Sequence, residues 1–311
     1  MNRILLIAIF ALLISACKST KLPKVTSMDQ LNYGTEVKRM TLSDDIQLAY
    51  TEQGSGTPLL FIHGLGSYLP AWNKNVVSLS KNYECIAVDL PGYGHSSKGN
   101  YEGSMTFYAG VLKEFLEQKG IKRVVVAGHS MGGQIAMTMA LQYPELVDKL
   151  ILLAPAGFEV FNKGQRQWFR DVMTVDGVRL TTVEQIRNNY AYNFYNMPKD
   201  AQFMVDDRIA MRSADDFIPY CYMITKNVQG MVDQPIFDFM SKIKQPVLAI
   251  FGENDNLIPN RYLNGGRTRD FAEKGIAQFP NGKLVMIPKA GHFVQWEQAD
   301  KVNKLISDFL K

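Results

Sequence analysis

Cysteine is scarce, with three in 311 residues at positions 17, 85 and 221. So few thiols exclude a disulfide-built scaffold, and without a CxxC pair there is no zinc or redox signature. A charge excess is also missing. Lys and Arg total 34 against 30 Asp and Glu, and a net +4 so scattered does not make a nucleic-acid-binding surface. The N-terminal apolar run, residues 4–16, has 13 residues and includes a serine. A helix needs roughly 20 apolar residues to cross a bilayer core. Internal repeats and low-complexity tracts are absent. What remains is ordinary for a globular chain, 46% hydrophobic and 21% charged. The length suits two domains, or equally one α/β unit carrying a large insertion.

The first residues are Met-Asn-Arg, followed by the apolar run and Cys17. A positive start, a short apolar core and small residues at its end describe a secretory signal over residues 1–16. Ile14-Ser15-Ala16-Cys17 resembles the lipobox of bacterial lipoproteins. That resemblance implies cleavage before Cys17, acylation of its thiol and new amine, and a membrane partner held through the N-terminal lipid. Each buried CH₂ would contribute about 0.8 kcal/mol to the anchor. An ordinary signal peptide with an incidental cysteine is the alternative. Residues 17–40 are expected to hold the lipidated Cys and a tether, because 18–27 (KSTKLPKVTS) is polar, basic and contains Pro23. The expected location is the cell envelope, and Lys18 favours the outer membrane over the inner. Cys85 and Cys221 read as buried free thiols, although an oxidising compartment would let them pair.

Short apolar runs recur along the rest of the chain, at residues 59–62, 85–88, 124–127, 151–153, 247–251 and 284–287. Ile46–Thr51 alternates instead. Unbroken apolar runs fit strands covered on both faces. Helical stripes lie between or after them, at Val111, Leu112, Phe115 and Leu116, across 131–143, and at Val302, Leu305, Ile306 and Leu310. The alternation predicts an α/β fold with a mostly parallel sheet between helices. It breaks over residues 157–240, which hold 14 of the 34 aromatics and 7 of the 15 methionines. This segment reads as a helical cap inserted between two core parts, 41–156 and 241–311. Placed over the strand ends, it would line an apolar pocket. A second helical layer with no pocket is the plainer alternative.

Gly128-His129-Ser130-Met131-Gly132 is a G-x-S-x-G pentapeptide between a strand run and a helix, the setting of a nucleophile elbow. Ser130 is the candidate nucleophile and needs a base. Of four histidines, His292 has the chain order Ser…Asp…His, and His95 is held in reserve. His129 should point away from Ser130. The acid is expected on the loop after the strand 247–251, with Asp255 first and Glu253 second. It would accept the Nδ1 proton of His292. Two backbone N–H groups are expected to hold an oxyanion, those of Met131 and Leu65. His63 and Gly64 would support that loop.

Five segments, HGLG (63–66), DLPGYGHS (89–96), GHSMGG (128–133), FGENDNLIP (251–259) and AGHFVQWEQ (290–298), together resemble the α/β-hydrolase superfamily. The resemblance implies an eight-stranded mostly parallel sheet, a cap after the sixth strand, and no cofactor or metal. GHFVQWEQ is similar to meta-cleavage-product hydrolases, which cut C–C bonds, while GHSMGG also occurs in esterases, lipases and perhydrolases. The expectation is therefore a serine hydrolase acting on a small-molecule carboxylic ester with an apolar acyl or alcohol part. C–C bond hydrolysis is the alternative, and would call for a carboxylate-binding Arg among 166, 170, 187, 208 and 212. A non-catalytic binding protein on the same scaffold is the third reading. Oligomeric state leaves no mark in the sequence.

Overall fold

The apolar runs pair into one eight-stranded sheet. The structure, a computed structural model, describes residues 22–311, so the expected signal peptide and Cys17 lie outside the described residues. The strands are β1 (Lys38–Thr41), β2 (Gln47–Gln53), β3 (Thr57–Ile62), β4 (Tyr83–Val88), β5 (Val124–His129), β6 (Val147–Leu153), β7 (Val247–Gly252) and β8 (Gly282–Ile287). Their order across the sheet is β1-β2-β4-β3-β5-β6-β7-β8. Pairs β1–β2 and β2–β4 are antiparallel, and every pair from β4 to β8 is parallel. Strands β5 and β7 are buried along their whole length, which is why their sequences show no alternation.

Eleven α-helices are present among the described residues. They are α1 (Asn73–Leu79), α2 (Met105–Gln118), α3 (Met131–Gln142), α4 (Lys163–Val172), α5 (Val175–Arg179), α6 (Val183–Tyr192), α7 (Gln202–Ala210), α8 (Phe217–Asp233), α9 (Thr268–Ile276), α10 (Val294–Glu297) and α11 (Ala299–Leu310). Helix α2 starts where the Ser104 hydroxyl accepts the Phe107 N–H at 3.1 Å, and its stripe Val111, Leu112, Phe115 and Leu116 is buried. Helix α3 is buried from Met131 to Ala140, so it is apolar all round. Helices α4 to α8 occupy the stretch between β6 and β7 with no strand among them. Capping boxes open two of them, Asn162 with Gln165 and Thr182 with Gln185. Along α4 and α5 no residue is fully buried, which is why that stretch lacks a core-like apolar pattern.

One expectation needs correction at the N-terminal end. Residues 25–40, assigned to the tether, are packed on the body. Met28, Leu31 and Tyr33 are buried in the main core, and Lys38–Met40 belong to β1. The cause is tertiary: Tyr33 O–H donates to Asp89 Oδ2 at 2.7 Å, and Met28 N–H donates to Asp216 Oδ1 at 3.1 Å. Strand β1 itself carries no sequence signal because Lys-Arg-Met-Thr is a largely exposed edge, with Met40 alone turned toward the core. Cys85 and Cys221 are buried free thiols, and burial pushes them up to about 12 and about 11.

The topology sets where chemistry can happen. Strand β3 lies between β4 and β5, so the chain reverses its direction of growth there, and the loops at the carboxyl ends of β3 and β5 part to leave a crevice. The parallel register Ile62↔Gly128 places His63-Gly64-Leu65 directly beside His129-Ser130. The register Gly252↔Ile287 likewise brings the loops after β7 and β8 together. Asp89, at the end of β4, is fully buried and ties the neighbouring loops. Its Oδ1 accepts the Leu69 N–H at 2.7 Å, and its Oδ2 accepts the His95 N–H at 2.8 Å besides the Tyr33 hydroxyl.

Candidate active site

The turn from β5 into α3 is sharp enough to force Ser130 to φ 52°, ψ −117°, outside the allowed regions of an L-residue. The strain is held by close packing that only glycine tolerates. A Cβ on Gly128 would lie inside 3.0 Å of the Gly132 carbonyl, and a Cβ on Gly132 inside 3.0 Å of the Ile62 and His63 carbonyls. The Ser130 carbonyl is bonded to the N–H groups of Gly133 (2.9 Å), Gln134 (3.3 Å) and Ala156 (2.9 Å), which locks the turn. Ser130 therefore stands at the N-terminal end of α3, where the helix dipole favours developing negative charge.

Asp255 and His292 meet as expected. His292 Nδ1 and Asp255 Oδ2 are 2.8 Å apart, and both side chains are almost wholly buried. With the carboxylate ionised, Nδ1 carries the proton and Nε2 is left as the acceptor. The other carboxylate oxygen accepts N–H bonds from Leu257 (2.8 Å) and Ile258 (3.1 Å), so both oxygens are satisfied. Ser130, His129, His292, Gly64 and Leu65 all line one cavity of about 360 Å³. The runner-up acid, Glu253, pairs instead with Arg269 at 2.5 Å on the surface. The reserve base, His95, stacks on Tyr33 and its Nε2 bonds the Leu31 carbonyl at 3.0 Å, away from that cavity.

The loop after β3 is a turn closed by Ser67 N–H to Gly64 O at 3.2 Å. Its central residues, Leu65 and Gly66, do not spend their N–H groups on that bond. Met131 is the first residue of α3, so its N–H has no intrahelical acceptor. A Cβ on Gly64 would be 3.0 Å from the Ser130 Cβ, which measures how tightly this loop presses on the serine. His63 braces it from below. Its Nδ1–H donates to Gly64 O at 2.8 Å and its Nε2 accepts the Leu90 N–H at 3.0 Å. Both bonds together require the neutral ring, and burial pushes its pKa down.

His129 does more than point away from the serine. Its Nε2–H donates to the His292 carbonyl at 3.0 Å, tying the loop of the base to the strand of the nucleophile. Burial, and then the neighbouring His292, hold its pKa well below the ordinary histidine value. No spacing rule in the sequence signals this link. The rest of the cavity wall comes from the helices between β6 and β7, with Phe169, Met173, Val228, Met231 and Val232 presenting an apolar surface. Glu159 also borders it, its carboxylate accepting the Asn260 N–H at 2.9 Å and an Asn264 amide N–H at 2.7 Å.

A second cavity of about 350 Å³ adjoins the first and shares Leu65, Met173, Asn193 and Phe293 with it. Arg208 lines it, only 9% exposed. Its Nη1 has no hydrogen-bond partner among the described residues, and no carboxylate pairs with it there. The guanidinium stands over the rings of Phe217 and Tyr220, at 5.1 and 5.5 Å. Of the five arginines considered from sequence, this one alone lines either cavity.

Comparison with known proteins agrees with this architecture. The family model described as "alpha/beta hydrolase fold" matches residues 57–299. A 2-hydroxy-6-oxononadienedioate/2-hydroxy-6-oxononatrienedioate hydrolase of Paraburkholderia phymatum is 29% identical over 283 residues, covering 86% of this chain and 91% of that protein. Among solved structures, a probable hydrolytic enzyme from Pseudomonas aeruginosa superposes with a TM-score of 0.81 at 23% identity, over 93% of this chain and 99% of that one. An esterase from Exiguobacterium antarcticum gives 0.75 at 19% identity, over 89% and 100%. These two likenesses concern the fold.

His63 and His129 give the site a pH signature. Both are held neutral in the folded protein, with values below the ordinary 6.5. In the unfolded chain they take up protons near 6.5, so their contribution to stability is complete above that pH and is lost as pH falls below it. The urea midpoint should therefore drop progressively from pH 7 to pH 5, and His129→Gln should flatten the drop. An equally steep drop in that variant would show that His129 is not protonated on unfolding.

Proposed function

The chain belongs to the α/β-hydrolase fold family, and from that premise we propose that it is a serine hydrolase of carboxylic esters with an apolar acyl or alcohol part. The observation that carries this reading is the buried Asp255–His292 pair at 2.8 Å, opening on the same apolar cavity as the strained Ser130. Ser130 Oγ attacks the ester carbonyl while His292 Nε2 takes its proton, and Asp255 stabilises the imidazolium. The N–H groups of Met131 and Leu65 receive the oxyanion, each worth about 3–4 kcal/mol of barrier. His292 then protonates the leaving alkoxide. A water deprotonated by the same ring attacks the acyl-enzyme, releasing the acid and restoring Ser130. A fluorophosphonate should label the wild-type protein once. Ser130→Ala should abolish labelling and lower kcat on p-nitrophenyl esters by at least about 10⁴. Undiminished labelling of that variant would remove Ser130 from the role.

Arg208 favours a second reading, C–C hydrolysis of a vinylogous diketone that carries a carboxylate. Its Nη2 makes only a long bond to the Val178 carbonyl, at 3.5 Å; a buried cation without an anionic partner is costly, and a ligand carboxylate would relieve it. The Paraburkholderia relative, named for dicarboxylate substrates, supports the same view. Arg208→Gln should raise KM roughly ten- to a hundredfold for substrates ending in a carboxylate, from about 1.5–3 kcal/mol of charge-assisted bonding, and leave neutral esters unchanged. Equal KM changes for both classes would mean that Arg208 only supports the packing.

The reading also places the protein in the cell envelope, exported and anchored through acyl chains on Cys17, which the apolar run 4–16 and the Ile-Ser-Ala-Cys stretch support. Intact mass of the purified mature protein should show chain loss before residue 17 and added acyl groups. An unmodified Cys17 thiol would exclude the anchor.

A further inference from the structure

The N-terminal segment does not hang free below the sheet. It is fastened to the helical stretch that walls the active site. Val25 N–H donates to Ser213 Oγ at 3.0 Å, and the same hydroxyl donates back to Val25 O at 2.8 Å. Asp215 N–H donates to Thr26 O at 2.9 Å. All three contacts lie in the connection between α7 and α8. Beside this fastening sits a shallow depression bordered by Leu22, Leu180 and Ile218, which are 43%, 60% and 42% exposed. Lys24, Arg179 and Arg212 share its rim. The acids beside them are Asp176, bonded to Arg179 Nε at 3.0 Å, and Asp215. Aliphatic side chains set among cations are the composition of a surface that lies in a bilayer interface.

We infer that this face docks on a lipid bilayer and turns the substrate entrance toward it, so that esters reach Ser130 from the membrane. The reach of the chain argues for this occupant. Four residues lie between Cys17 and Leu22, so the two are at most about 18 Å apart, and an acylated Cys17 would hold the depression near the headgroups. The route inward starts at the same place. Gly177, Thr181 and Asn189 line both a surface groove at Leu180 and the Arg208 cavity, which adjoins the cavity of Ser130. The inference rests on the ester reading for its substrate, an amphiphilic ester resident in the bilayer. The docked face stands independently of that chemistry.

The test uses the full chain in vesicles of phosphatidylethanolamine and phosphatidylglycerol. An environment-sensitive dye on Ile218→Cys should shift to the blue on reconstitution, with the unsubstituted chain as background, since Cys85 and Cys221 are buried. The same dye on Val77→Cys should not shift. Val77 is 63% exposed on α1, which packs against α10, α11 and β4. In the second arm, Leu22→Asp with Ile218→Asp should lose at least tenfold in turnover of a long-chain ester dissolved in the bilayer, and less than twofold on soluble p-nitrophenyl butyrate. No dye shift at 218, or measurable turnover of the bilayer ester that is equal in variant and wild type, would overturn the docked face. A shift at 218 in a wild-type protein that cleaves neither ester would instead defeat the ester reading and leave the docked face in place.

Discussion

Everything in the site depends on the backbone pairing of β3 with β5. These two strands run parallel with Ile62 opposite Gly128, at or next to the end of each strand. That single register brings the Leu65 loop against Ser130. A slip of one residue would turn the side chains of β3 to the opposite face of the sheet and carry the loop away from the serine. The pairing is dry and apolar on both faces, so no polar alternative competes for it. It is also what makes glycine compulsory at 132. The carbonyls of Ile62 and His63 fill the space a side chain would need, and the close approach of α3 to β3 follows.

Around that frame, polar groups are arranged in two contrasting ways. On the sheet side the groups that hold the site's loops are partnered, although Trp72 Nε1, Asn75 Oδ1, His129 Nδ1 and the Gln295 amide lack a partner among the described residues. Asp89 takes three donors, Asp255 takes three, and His63 uses both ring nitrogens. Such networks resist rearrangement, because breaking one bond strands a buried group. On the helical side the walls are largely Phe, Met and Val, with one guanidinium that has no anionic partner among the described residues. Those side chains can repack around different ligands at small cost. The reacting geometry is therefore fixed by one half of the chain, and the choice of substrate is left to the other.

The same contrast governs what the sequence could reveal. Strands β3 to β7 are legible because burial on both faces leaves an unbroken apolar run, β8 shows such a run although it is only half-buried, and the elbow is legible because its glycines are dictated locally. Asp255 and His292 could be placed by the loops they follow and by their order after Ser130. Residues 25–40 misled because their burial comes from contacts nearly 190 residues away, such as Met28 with Asp216, and nothing local records them. Strand β1 is an exposed edge with no period. The role of His129 was hidden for the same reason, since its partner is a carbonyl on another loop. Arg208 was one of five arginines of equal standing until packing singled it out.

An ester hydrolase and a C–C hydrolase would ask the same things of Ser130, His292 and the two N–H donors, because both develop an oxyanion at an attacked carbonyl. The machinery on the sheet cannot tell them apart. The discriminating feature must be a group that reads the substrate at a distance from the reacting carbon, and Arg208 is placed for that. It lies in the adjoining cavity, beyond the partition made by Leu65, Met173, Asn193 and Phe293. A substrate whose anionic end reaches Arg208 must be long enough to pass that partition while keeping its carbonyl over Ser130. A short neutral ester occupies only the first cavity and leaves the cation unsatisfied. Binding energy at Arg208 is thus available only to elongated anionic molecules, and a fatty ester with a charged head and a dicarboxylate diketone both meet that description.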